Sequence, residues 1–235
     1  MGPADAKNMK QHGGILPPGR RAWLLRALAG GVAVPLLIRD ALAAGERASG
    51  MVEVKGEVRI NGRPARVGSV VMPGDSVATA RGASAVFILG RDAFLIRENT
   101  ELRTAGGSAL AGALRLVTGK LLSVFGRGSR NIVTTTATMG IRGTGIYLEA
   151  EAKRTYVCTC YGTVDLQASN MPEARETVRT THHDAPRYIY AHGEMPIKMI
   201  EPAPVINHSD AELIMLEALV GRKPPFVGSG REYKF

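Results

Sequence analysis

Cys158 and Cys160 are the only two cysteines of the chain and lie two residues apart in Val157-Cys158-Thr159-Cys160-Tyr161. In a β-strand, residues i and i+2 share a face, so both thiols project to one side. In an oxidising compartment an even cysteine count defaults to a disulfide. An extended i to i+2 pair, however, separates the Cα atoms by roughly 6.5 to 7 Å, at the limit of disulfide geometry. A metal or haem site and a pair of buried free thiols are the alternatives. For a metal, imidazoles are available from His182 and His183, 22 and 23 residues beyond Cys160, and from His192 or His208. Two thiolates with two imidazoles suit Zn²⁺ or Cu(I) better than Mg²⁺ or Ca²⁺. Adjacent histidines on a strand face opposite ways, so one of His182 and His183 is expected to join the cysteines, with His192 or His208 beside it.

The second group of interest is Arg142-Gly143-Thr144, inside Ile132 to Tyr147 (IVTTTATMGIRGTGIY). Valine, threonine and isoleucine at both ends are strand residues, and Gly140, Gly143 and Gly145 bracket one arginine. This predicts two strands around a glycine corner, with Arg142 either a ligand contact or a brace. Catalytic constellations are missing: there is no GxSxG elbow, no HExxH pair and no convincing carboxylate pair. The chain is expected not to be an enzyme. Gly126-Arg127-Gly128-Ser129 lacks the lysine-threonine ending of a phosphate loop and is read as a hairpin loop.

The elements that carry these residues are strands. From Met51 to Leu102, runs of alternating apolar residues are broken by Asn61-Gly62, Pro73-Gly74-Asp75 and Gly90-Arg91-Asp92 every 8 to 12 residues or so. The composition, with 28 glycines and 5% aromatics, fits short strands and tight turns. The expected fold is all-β, short strands stacked as a β-solenoid or sandwich, with one C-terminal helix. Ser209-Asp210-Ala211-Glu212 has capping-box spacing, and Leu213, Leu216, Leu219 and Val220 repeat with helical period, placing that helix near 210–220. A polar segment from Met171 leads to a last strand pair at Arg187 to Tyr190 and Ile197 to Ile200.

Residues 1–44 read separately. Arg20-Arg21 precede an apolar run from Ala27 to Ile38, and Ala41-Leu42-Ala43-Ala44 supplies a peptidase site, the pattern of a twin-arginine signal. Twelve residues are too few to span a bilayer, which takes about 20. The expected organisation is therefore a signal peptide at 1–44, a β-domain at 45–170 and an extension at 171–235, in a periplasmic protein that is not integral to the membrane once cleaved. The leader holds six basic residues against Asp5 and Asp40, so it supplies +4 of the formal +9 and leaves +5. That charge is dispersed, which argues against a nucleic-acid partner.

The order of short motifs resembles the FecR-type periplasmic domain. The resemblance rests on Gly56-Glu57-Val58 with Asn61-Gly62, Pro73-Gly74-Asp75-Ser76-Val77 with Thr79, Ser84-Ala85-Val86-Phe87, Asn99-Thr100-Glu101-Leu102, Ile141-Arg142-Gly143-Thr144, Thr155-Tyr156-Val157 and Gly162-Thr163-Val164-Asp165-Leu166. It covers Val52 to Leu166, about half the chain. It implies a non-enzymatic binding or scaffold module that contacts another envelope protein, in signalling or metal response. Family members that relay a signal to a sigma factor carry an anti-sigma region and a transmembrane helix, which the sequence before Val52 does not resemble. The Arg142 corner and the C-terminal helix are the expected contact surfaces.

Overall fold

The computed structural model describes residues 49–104, 106, 113–191 and 198–228 of the chain. The leader and His192 lie outside them. Among the described residues, fourteen strands form one sheet: β1 (Gly50–Lys55), β2 (Val58–Ile60), β3 (Arg63–Pro64), β4 (Ser76–Thr79), β5 (Ser84–Leu89), β6 (Asp92–Ile96), β7 (Glu101–Arg103), β8 (Ala113–Val124), β9 (Ser129–Val133), β10 (Ala137–Ala150), β11 (Arg154–Ala168), β12 (Met171–Thr180), β13 (Arg187–Tyr190) and β14 (Ile200–Pro202). One helix, α1 (Asp210–Leu219), follows. The fold is all-β with a C-terminal helix. No helix among the described residues is long and apolar enough to cross a membrane.

The turn dipeptides act as expected. Asn61 and Gly62 both take positive φ, 50° and 77°, and close the β2–β3 hairpin. Gly90 and Arg91 close β5 onto β6. Two expectations give way. Gly126 to Ser129 is not a hairpin loop, because β8 and β9 pair in parallel, Ala113 opposite Asn131. It is a corner tied down by Asp92, which accepts from Gly126 N–H at 2.8 Å and faces Arg130 at 3.2 Å.

Nor do the glycines of 132–147 form the corner between its two strands: the chain turns at Thr134 to Thr136, between β9 and β10, where Thr134 N–H donates to Ala137 O at 2.9 Å, and Gly140, Gly143 and Gly145 all lie inside β10. Ala137 to Ala150 is one strand that changes partner: Thr138 to Arg142 pair with β9, and Gly145 to Ala150 pair with β8. The glycines permit the bulges between, where Arg142 faces Thr163 but Gly145 faces Tyr161. At Gly145 a Cβ would overlap Cε1 of the Tyr161 ring, so any larger residue must displace that ring.

Alternation along the long strands builds two apolar clusters on opposite faces. Phe87, Leu121, Ile146, Leu148 and Val157 belong to one. Val86, Ile88, Leu122, Tyr147, Tyr156, Cys158 and Cys160 belong to the other, which Leu213, Leu216 and Leu219 of α1 and Phe226 cover. The helix therefore docks on its own sheet. Leu216 is fully buried there and is no partner-facing surface. Met171–Thr180 and Arg187–Tyr190 join the same sheet, since β12 and β13 both pair with β11.

Candidate metal centre

Three separate segments supply the site. The first is β11, whose alternation turns Tyr156, Cys158 and Cys160 to the helix-covered face. Cys160 lies in the bulge, since Tyr161 faces Gly145 and Thr159 faces Ile146 with no β10 residue opposite Cys160. Both cysteines are free, and their sulfurs are fully buried.

The second segment is the turn after β12. Thr180 Oγ1 donates to Asp184 at 2.6 Å and accepts from the His182 and Asp184 amides at 3.1 Å each. His183 takes a left-handed φ of 51°, and its amide donates to Cys160 O at 3.0 Å. This turn, rather than a strand, carries the two histidines, so they do not face opposite ways. Both rings reach Asp210: His182 Nε2 lies 2.9 Å and His183 Nε2 3.0 Å from Oδ1.

The third segment precedes α1. His208 Nδ1 donates to Ile206 O at 2.6 Å, and its ring stacks on Tyr147 at 4.6 Å. Asp210 opens the helix behind the Ser209 and Glu212 capping box, where a buried carboxylate gains from the helix N-terminus as well as from the two imidazoles.

These contacts set the tautomers. With Nδ1–H on Ile206 O, His208 turns the lone pair of Nε2 inward; with Nε2–H on Asp210, His183 turns Nδ1 inward. The two inward nitrogens lie 3.0 Å apart, and His183 Nδ1 is 3.4 Å from Cys158 Sγ. Donor atoms of Cys158, Cys160, His183 and His208 all fall within 4.8 Å of one another, and all four residues are buried. For Zn²⁺, bonds of about 2.3 Å to sulfur and about 2.05 Å to nitrogen give tetrahedral edges of roughly 3.3 Å (N to N) and 3.5 Å (S to N). The observed spacings are close to these.

The electrostatics match. Hydrogen bonding with Cys160, and then with His183 and His208, holds the Cys158 thiol well below the usual range against the opposing effect of burial. Burial pushes the Cys160 thiol well up, and the neighbouring Cys158 adds to this. Burial pulls His183 down, but its hydrogen bonds to Asp210 and Cys158 outweigh it and carry the imidazole up to about 9.

Of the residues singled out by sequence, the structure thus brings together Cys158, Cys160 and His183. His182 stands outside the four, on Asp210, with Phe226 stacked on its ring at 4.3 Å. His208, only an alternative to His192 by spacing, takes the fourth position. Asp210 was not anticipated; its place one residue after a cap and two after a histidine was the available signal. Arg142 and Gly143 are exposed, while Thr144 is buried and donates to Thr163 O at 3.1 Å. Two surface clefts, of about 540 and 220 Å³, lie elsewhere, the first beside Asn61 and Arg63 and the second beside Asp165 and Arg175.

No family model and no curated protein matches this chain. Two solved structures from Parabacteroides distasonis ATCC 8503, each described as a "putative anti-sigma factor", at 1.65 and 2.50 Å resolution, are similar in part. Identity is 15% for both, with TM-scores of 0.45 and 0.44, over 55% of this chain and 58% of each of those. The FecR-type resemblance therefore stands on its sequence motifs.

Proposed function

We propose that this protein is a non-enzymatic, exported β-module built around a Cys₂His₂ metal centre, with Zn²⁺ as the resident ion. The observation that carries the reading is the convergence of Cys158, Cys160, His183 and His208 in one buried cluster, with both imidazoles oriented by outer hydrogen bonds. Two thiolates neutralise a divalent ion, so the ion and its four ligands together carry no net charge. Four protein ligands leave no open coordination position, which is the arrangement of a structural rather than a catalytic zinc. Cys158, His183 and Asp210 also line up as nucleophile, base and orienting group. A sulfur with no exposed surface meets no substrate, so the metal reading is the stronger one.

Elemental analysis of the full chain purified under reducing conditions is expected to give one zinc per chain, and Co²⁺ in its place the absorption of a tetrahedral thiolate site. Cys158→Ser and His208→Ala should each lose the ion, whereas His182→Ala should keep it. Full zinc retention in His208→Ala would overturn the assignment.

The module's partner is proposed to be another envelope protein, met through the exposed Arg142, whose contact with Asp165 is long at 3.5 Å. Crosslinking in intact cells should recover a partner that Arg142→Glu loses; equal recovery with both chains counts against this surface.

A further inference from the structure

The metal donors do not lie on one body. Cys158 and Cys160 belong to β11 and His183 to the turn after β12, whereas His208 belongs to the segment 203–228 that crosses the sheet face and carries α1. That segment closes over the sulfurs. Exposure is 0% for Cys158 and Cys160 and 4% for His183 and His208, so an ion has no open route to its ligands while the segment is docked.

We infer that residues 203–228 form a strap whose undocking is the route of metal entry and exit, so that the bound ion is kinetically trapped and in turn locks the strap. This rests on the metal reading above. The strap's remaining attachments are separable from the ligands. Arg97, on the sheet side, donates to Asn207 O at 2.9 Å and to Glu212 at 2.8 Å. Arg222 pairs with Glu217 at 2.5 Å and donates to Arg91 O at 2.6 Å, fastening the far end. Tyr156 O–H donates to Pro204 O at 2.8 Å near the start. Leu213, Leu216, Leu219 and Phe226 supply the apolar hold. Arg97, Arg222 and Leu219 are not members of the donor set, yet each holds the cover that the ion must displace.

The test follows Zn²⁺ transfer from the full, metal-loaded chain to a chromogenic chelator. Release should become independent of chelator concentration at high chelator, because opening limits it. Arg97→Ala and, independently, Arg222→Ala should accelerate release about three- to tenfold, the range for losing partly exposed charged hydrogen bonds. Their Co²⁺ spectra should match the parent, since the ligands are intact. Arg59→Ala, whose side chain bonds only within the β2–β3 hairpin, to Glu57 at 2.7 Å and to Gly62 O at 2.9 Å, should leave the rate unchanged. Release that stays proportional to chelator and is unaltered in both strap variants would overturn the strap while leaving the metal centre standing. A parent chain that takes up no zinc or cobalt removes the metal centre and the strap together.

Discussion

At the scale of single residues, the outer hydrogen bonds decide whether four donors become a site. Asp210 fixes His183 through Nε2, so Asp210→Asn, which keeps the size but not the charge, is expected to weaken zinc affinity by about 10- to 100-fold. Competition against a chelator of known affinity checks this; unchanged affinity would make Asp210 a structural partner of His182 alone. Metal binding needs neutral imidazole and thiolate, and His183 in the metal-free protein is carried up to about 9. A raised histidine stabilises the metal-free fold fully below about pH 6.5 and loses that contribution as pH rises through about 9. Zinc displaces the same proton, so affinity should climb with pH from neutral to about 9. Calorimetry in buffers of different ionisation enthalpy should show net proton release at neutral pH.

At the scale of elements, a bulge and a helix cap place the ligands. The bulge across β10 and β11 exists because Gly145 leaves room for the Tyr161 ring, whose hydroxyl donates to Glu217 of α1. Gly145→Ala should therefore disturb both the Cys160 bulge and the helix dock. Its expected cost is about 1 to 3 kcal/mol, the usual range for overpacking, read as a lower denaturation midpoint. The cap is a milder test. Ser209 accepts from Glu212 N–H at 3.4 Å while Glu212 accepts from Ser209 N–H at 3.0 Å, so Ser209→Ala should cost about 1 kcal/mol. Because Ser209 stands between His208 and Asp210, that variant should also loosen zinc, whereas a cap acting on the helix alone would change thermal stability only.

At the scale of the whole molecule, a ligand that binds only the folded chain adds stability by mass action. Free zinc at a thousand times its dissociation constant should add about 4 kcal/mol, and so raise the melting temperature by roughly 8 to 16 °C for a chain of this size. A melting curve indifferent to zinc would contradict a site bridging sheet and strap. Much of the framework was legible in the sequence, because it depends on neighbours in the chain. Alternation marked the strands, Asn61-Gly62 marked a hairpin, and Ser209 with Glu212 marked the start of α1. The same-face placement of Cys158 and Cys160 followed from their spacing. Long-range pairing was not local information. Gly143 and Gly145 look alike in a turn or a bulge, and only the competition of β8 and β9 for β10 decides between them. The ligand set was undetermined for the same reason: His183 and His208 are 25 residues apart, and no spacing rule links them. Sequence alone determined that two thiols share a face and that histidines exist to meet them. Tertiary structure decided which ones do, because a left-handed turn at His183 and the apolar docking of α1 bring separate segments to one point.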